Sequence, residues 1–472
     1  MAEGAGLENR YTLTGIVGSN PTLSAVPHSM TSLESALPAS GPRTLTRQLG
    51  VWSATAIVIG SMIGSGIFRV PSATAAQVGS PGGMMLVWVA GGLVALCGAL
   101  TLAEVAALYP RAGGIYVYLN EAYGSRTAFL VGWLFLVIAP ASIGAVALVF
   151  AEYLARLFPA LDDHTRLVAA AGVTLVAAWN YRSLRFSAAV QNLSSASKVL
   201  AILGLTAAAL LSGHAGEGAW LEAGELTPAS WTGFGLGLVT VLWAYNGWQD
   251  ATYVGGEVRN PGRNLPRALT YGTLIVTGVY LAVNAAYLAV LPMDELARSP
   301  LVAADVAIRL FGGVGNALIA ALVCVSTFGT MNGGTMCYPR IFYAMAEDRL
   351  FFRGIAAVHP RYGTPHAAIA LTAALAICFL WVRTFEQLIE IFILGILPFW
   401  ALGAGAVIVL RRRRPELERP YRTPGYPVVP ILFILATAGL LLNSLVQRPG
   451  PTMASFAAIL AGVPIYHLWR RR

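Results

Sequence analysis

Long apolar stretches alternate with short polar ones along most of the chain. From Met84 to Leu108 the only charged residue is Glu104, and from Val428 to Leu445 there is none. About 20 apolar residues in a helix cross the hydrocarbon of a bilayer. Such runs therefore predict an all-α membrane protein. Twelve spans are expected, near 51–77, 84–108, 127–157, 166–180, 189–212, 231–257, 267–291, 313–346, 366–382, 385–410, 427–446 and 452–469. The fourth and ninth are short. Residues 1–42 depart from the pattern, being rich in Ser, Thr, Pro and Gly with no sustained apolar run. That composition predicts a disordered tail, and it lacks the basic start and apolar stretch of a secretory signal. Met30 is an alternative start.

Composition agrees with the pattern. Hydrophobic residues make up 56% of the chain and charged residues 11%, against about 25% charged in a soluble domain. Much of this surface must face lipid. The net charge of +9 does not point to nucleic acid, because the basic residues sort by loop. Arg43, Arg47, Arg111, Arg126, Arg182, Arg185, Arg259, Arg263, Arg267, Arg340, Arg349, Arg353, Arg361, Arg411 to Arg414, Arg419, Arg422 and Arg470 to Arg472 all fall on one side of a twelve-span arrangement. The other side carries acids such as Asp162, Asp163, Glu217, Glu222, Glu225, Asp294 and Glu295. The positive-inside rule makes the arginine side cytoplasmic. Both termini are then inside, as an even number of spans requires. The Arg411–Arg414 run reads as an anchor at the end of a span by the same rule.

Cys97, Cys324, Cys337 and Cys378 all fall within expected spans, without metal-ligand spacing. Four free thiols packed as small apolar residues are expected, with no metal and no cofactor. His28, His164, His214, His359, His366 and His467 lie in loops or near span ends, so no His/Asp/Glu cluster in the spans suggests an enzyme. No loop is long enough to fold alone as a receptor domain.

Two spans carry interruptions. The first contains Gly60-Ser61-Met62-Ile63-Gly64-Ser65-Gly66-Ile67-Phe68. Each glycine costs roughly 1 kcal/mol against alanine in a helix. Small residues can serve close helix packing, or the helix can unwind where its freed backbone groups line a cavity. Span 1 alone leaves the two readings balanced. The sixth span reads Trp243-Ala244-Tyr245-Asn246-Gly247-Trp248-Gln249-Asp250, again polar and glycine-containing in mid-span. Spans 1 and 6 correspond if five spans repeat upside down. Paired interruptions of that kind point to a transporter binding site. The repeats would cover 43–212 and 230–411, with two additional helices over 427–469.

GSMIGSGIF at 60–68, YPRAGGIYVYL at 109–119, WAYNGWQD at 243–250 followed by GEVRNPGRNLPRA at 256–268, and STFGTMNGG at 326–334 occur in this order along the twelve-span pattern. Over roughly 48–425 the chain thereby resembles the amino acid–polyamine–organocation superfamily, and within it the L-type amino acid transporter group. The resemblance implies the leucine-transporter-like fold, a 5+5 inverted repeat with discontinuous helices 1 and 6. It implies transport of an α-amino acid by alternating access. The substrate carboxylate would meet N–H and hydroxyl groups at Ser65, Gly66 and Ile67. The ammonium would meet carbonyls at Met62, Trp243 and Asn246. Trp243 matches an aromatic gate, with plain core packing as its bland alternative. Asn246 matches a position that touches the substrate side chain, and Asn there suggests small to medium neutral amino acids.

The chain has one lysine, Lys198, in span 5. A snorkelling role does not explain why this site alone is not Arg. Unlike Arg, a lysine can give up its proton. The resemblance implies an ammonium that replaces a sodium ion, bridging the broken first span and span 8, with Ser326 as the matching hydroxyl and Gly60 as a carbonyl partner. Sodium-independent transport follows. Glu104 and Glu257 read as structural partners of nearby arginines, and the facing of Asp250 is left open. The expected protein is a neutral amino acid exchanger of the plasma membrane, with a proton-coupled symporter as the alternative. The light chains of this family carry a cysteine in the loop between spans 3 and 4. Phe158 to Arg166 has none, so no disulfide-linked heavy chain is expected.

Overall fold

The computed structural model describes residues 45–64, 66–212, 228–382, 385–447 and 449–470. All of them belong to one compact unit, Arg43–Arg472. The expected tail at 1–42, the loop at 213–227 and Ser65 lie outside the described residues.

Seventeen α-helices follow one another among the described residues. The first broken span gives α1 (Val51–Met62) and α2 (Gly66–Val78). Next come α3 (Pro81–Leu108), the short α4 (Ile115–Tyr123), α5 (Ser125–Leu157), α6 (Thr165–Arg182) and α7 (Leu184–Leu211). The second half of the chain holds α8 (Pro228–Ala244), α9 (Pro261–Val290), the short α10 (Met293–Arg298) and α11 (Val302–Phe311), α12 (Gly313–Cys337) and α13 (Pro339–Glu347). It closes with α14 (His366–Val382), α15 (Phe385–Arg413), α16 (Val428–Gln447) and α17 (Pro449–Arg470).

Local chemistry sets several of these ends. Ser80 caps α3 by accepting from the Gly83 N–H at 3.2 Å, with Pro81 next in line. Ser183 caps α7 in the same way through Phe186, at 3.1 Å. Pro339 separates α13 from α12.

Eight helical stretches among the described residues are long and apolar enough to cross a bilayer, and α1 with α2, bent by 46°, make a ninth if counted as one span. The remaining expected spans, α6, α8 and α14, fall outside that set. Outward-facing Leu93, Leu193, Leu200, Leu435 and Leu442 are exposed, which suits a surface wetted by lipid rather than water. Cys324 and Cys337 are buried and Cys97 is half-buried, but Cys378 is exposed. Its expected packing is therefore corrected: this thiol lies on the outer face of α14.

Within the unit α1 packs on α7, α9 and α12, and α2 packs on α8. Backbone bonds tie the two interrupted segments together. Gln48 and Leu49 donate to the Glu257 carbonyl at 2.8 and 2.9 Å, and Arg259 donates to that of Leu49 at 2.8 Å. The arginine-rich end is laced with ion pairs. Arg340 makes a bidentate pair with Glu257 at 2.8 and 3.0 Å, both side chains 1% exposed. Glu104 accepts from Arg411 at 2.8 and 2.7 Å, lies 3.4 Å from Arg419, and accepts from the Thr423 N–H. Arg414 reaches Glu121 at 3.0 Å and Arg413 the Ala122 carbonyl at 3.1 Å. Arg411, Arg413 and Arg414 of the run expected as an anchor thus also make tertiary bonds. Asp348 collects Arg111, Tyr116 and Asn120, and burial together with that carboxylate pushes the Tyr116 phenol up.

Candidate functional site

The site begins where α1 stops. Ile63 leaves the helical region at ψ 81°, and the Gly64 N–H turns to the Met62 carbonyl at 2.9 Å. In a continuing helix that N–H would bond to Gly60. The Gly60 and Ile63 carbonyls are thereby freed inside the core, where an unpaired acceptor is costly.

Lys198 meets both. Its Nζ donates to the Gly60 carbonyl at 2.9 Å, to the Ile63 carbonyl at 2.7 Å and to Thr330 Oγ1 at 3.0 Å. The side chain is fully buried. A compact ammonium with three donors is saturated by these three acceptors. Ser326 Oγ also donates to the Ile63 carbonyl, at 3.1 Å. The hydroxyl on the ammonium is therefore Thr330, one helical turn beyond Ser326, and Ser326 shares the carbonyl instead. Gly60 is needed for close approach: a Cβ there would lie 1.9 Å from Gln191 Nε2 and 2.5 Å from Ser195 Oγ.

The second interruption begins where α8 stops, at Ala244. Asn246 N–H turns back to the Trp243 carbonyl at 3.1 Å, and Gly247 takes φ +110°, a conformation that L side chains rarely adopt. A Cβ on Gly247 would come within 2.8 Å of the Ser61 carbonyl carbon, so the two breaks touch backbone to backbone. No second α-helix follows. Two single 3₁₀ turns, Asp250–Thr252 and Gly255–Glu257, lead to α9. This corrects the expected helical second half of span 6. Within the expected Trp243–Asn246 pair, the Trp243 carbonyl is already bonded by Asn246.

Tyr280 of α9, which sequence reasoning did not single out, closes the gap between the breaks. Its hydroxyl lies 2.6 Å from the Met62 carbonyl and 3.0 Å from that of Ala244. One proton is shared between the last carbonyls of both helices. No local motif marks Tyr280, since its role depends on where α9 passes. Asn332 is a second residue missed, although it stands in the quoted STFGTMNGG stretch. Its amide accepts from Trp179 and Asn180 and donates to the Ser187 carbonyl and Gln191 Oε1, at 2.9 to 3.0 Å. It thereby locks α12 against α6 and α7.

A cavity of about 60 Å³ lies between the breaks. Met62, Gly66, Trp243, Asn246 and Asp250 line it, with Ser61, Ser142, Thr330 and Tyr338. Gly66 opens α2, whose first N–H groups have no partner within the helix. That end suits a carboxylate, because the dipole there is positive. Ile67 is fully buried beside it. Ser65, expected in the site, lies outside the described residues. Gly66 at the start of α2 and Met62 and Trp243 near the ends of α1 and α8 thus line one cavity, with the Met62 and Trp243 carbonyls also accepting from within the protein. Among the described residues no group of His, Cys, Asp and Glu is arranged to hold a metal.

The profile of the family described as Amino acid permease matches residues 49–466. The serine/threonine exchanger SteT of Bacillus subtilis (strain 168) is 34% identical over 91% of this chain and 98% of its own length. The b(0,+)-type amino acid transporter 1 of Homo sapiens is 31% identical, with 92% and 91% covered. The large neutral amino acids transporter small subunit 2 of Mus musculus is 32% identical, with 95% and 86% covered.

Proposed function

We propose that this chain, which belongs to the amino acid permease family of the amino acid–polyamine–organocation superfamily, is a sodium-independent exchanger of neutral L-amino acids. It is a multi-pass membrane protein of an amino acid transporter family, and its relatives are transporters rather than enzymes. The finer reading is ours. It comprises twelve spans, the 5+5 inverted repeat with α16 and α17 added, alternating access in the plasma membrane, both termini cytoplasmic, and no disulfide-linked heavy chain.

One observation carries the reading: a fully buried lysine ammonium bonds both carbonyls freed by the break in the first span. A fixed cation there fills the place where an ion would otherwise neutralise the exposed backbone. Gly60, Lys198 and Ser326, joined by Thr330, then couple the break to α12. Met62, Ser65, Gly66, Ile67, Trp243 and Asn246 form the substrate site, and Tyr280 holds its two carbonyl ends together. The uncharged amide of Asn246 in the cavity wall supports neutral substrates, and the name of the Bacillus relative makes serine and threonine the first to try.

The test is uptake and counterflow in proteoliposomes with a panel of labelled amino acids. Equal rates in sodium and choline are expected, with uptake driven by amino acid loaded inside. Strong sodium dependence would sink the reading. Uptake that needs a pH gradient and no internal amino acid would favour a proton symporter.

A further inference from the structure

A larger cleft, of about 680 Å³, lies away from the breaks at the arginine-rich end. One wall is the start of α9, from Pro261 to Tyr271, and the other is Pro420 and Tyr421 of the segment joining α15 to α16. The walls approach each other at Gly262, where a Cβ would lie 3.0 Å from Pro420. The facing segment is pinned on both sides of the cleft residues: Glu104 lies 3.4 Å from Arg419 and accepts from the Thr423 N–H at 2.7 Å. The α9 wall belongs to the GEVRNPGRNLPRA stretch at 256–268, to which the transport reading gives no task.

Charge sets what can enter. Arg263 and Arg267 both line the cleft, the first exposed and the second half-buried. The ion pairs among the described residues include neither of them. Glu416 and Glu418, the acids nearest in the facing segment, do not line the cleft. Two arginines therefore meet a cavity that holds no carboxylate, and the positive end of the 30-residue helix α9 adds to their field. A phosphate complements such a wall, because guanidinium groups donate to it bidentately.

Position decides which phosphate. Arg263, Arg267 and Tyr271 recur every four residues within α9, so they share one face of that helix. Further along the same face Leu274, Ile275 and Gly278 are exposed. Leu274 stands about 10 Å along the helix from Arg267. The face thus runs from cation to aromatic ring to aliphatic surface. A membrane lipid presents phosphate, glycerol and acyl chain in that order, and tyrosine is enriched at the level between them. A soluble phosphate would use only the first part. We propose that this cleft binds the headgroup of an anionic phospholipid, with its phosphate at Arg263 and Arg267 and an acyl chain along Tyr271, Leu274 and Ile275. Basic pockets beside spanning helices suit such headgroups. The inference needs only a membrane protein and is independent of which amino acid is carried.

The test is native mass spectrometry of the full chain in neutral detergent, titrated with phosphatidylglycerol or phosphatidylcholine of equal chain length. The wild type should bind phosphatidylglycerol the more tightly. Arg263→Gln with Arg267→Gln should weaken that binding about 30-fold and leave phosphatidylcholine binding unchanged. Arg353→Gln with Arg361→Gln removes two exposed arginines elsewhere and should change neither. Should the first double variant not be recovered, Arg263→Gln alone should weaken phosphatidylglycerol binding about fivefold. Glycerol 1-phosphate at equal concentration should not displace the lipid. Three results would overturn the proposal: no preference for phosphatidylglycerol in the wild type, equal losses in the two double variants, or displacement by glycerol 1-phosphate, which would mark a site for soluble anions.

Discussion

Replacing Lys198 by methionine separates a conformational role from a merely structural one. Methionine keeps the length and apolar stem and removes the ammonium. Three hydrogen bonds go, to Gly60, Ile63 and Thr330 at 2.9, 2.7 and 3.0 Å. Hydrogen bonds to charged groups contribute about 1.5–3 kcal/mol each, so the two carbonyl bonds are worth about 3–6 kcal/mol gross. Two effects offset this in the folded state. Burying an ammonium costs several kcal/mol, and that cost disappears. Neither carbonyl is fully orphaned, because Thr330 Oγ1 lies 3.1 Å from that of Gly60 and Ser326 Oγ 3.1 Å from that of Ile63. The net change in folding stability is therefore small, within about 2 kcal/mol, and the unfolding midpoint in detergent moves by only a few degrees. Transport responds differently. The lysine joins α7 to the break and to α12, and the proposed alternating access requires these to rearrange together. Losing about 2 kcal/mol of preference between the two states changes their ratio roughly 30-fold. Counterflow in proteoliposomes at matched protein density should fall by about that factor. Wild-type counterflow by Lys198→Met would refute the argument. A collapse of the unfolding midpoint with proportionate loss of folded protein would refute it too, because the lysine would then serve stability alone.

Three further outcomes are expected. Asn246→Gly, which enlarges the cavity wall, should let aromatic amino acids compete better for uptake, and no gain would remove the side-chain role given to Asn246. Gly247→Ala places a Cβ at φ +110° against the Ser61 backbone and should cost about 1–3 kcal/mol; an unchanged unfolding midpoint with full transport would show that the two breaks do not need this contact. Glu257→Gln leaves Arg340 buried without its carboxylate, a loss of about 3–5 kcal/mol, visible as a lower unfolding midpoint and a lower folded yield, whereas an unaltered protein would show the pair to be dispensable.

Much of this molecule is legible in the order of its residues, for a physical reason. Lipid cannot hydrogen-bond a backbone, so each spanning run must be both apolar and helical, and both facts are local. Most helix positions follow from the apolar runs, and the break in span 1 is pointed to by the matching interruptions of spans 1 and 6 together. The anchoring of Glu104 and Glu257 by arginine was expected as a class of contact, though not with Arg411 and Arg340 named as the partners. The sequence also singled out Lys198 by composition, as the one lysine among thirty arginines.

What the order of residues left open depends on how distant segments lie against one another. Thr330 rather than Ser326 meets the ammonium because the rotation of α12 decides which hydroxyl faces the break. Tyr280 bridges Met62 and Ala244 from 218 and 36 positions away, and nothing near it in the chain announces this. Span 6 continues after Gly247 as two 3₁₀ turns rather than a helix, beside a backbone approach to Ser61 that no propensity contains. The facing of Asp250, open in the sequence, is set by the packing of the two breaks, which places it in the cavity wall. Local chemistry determined where the helices run and where they break. Only the tertiary structure decided which groups fill the breaks, because filling them is a matter of ångströms between segments that are remote in the chain.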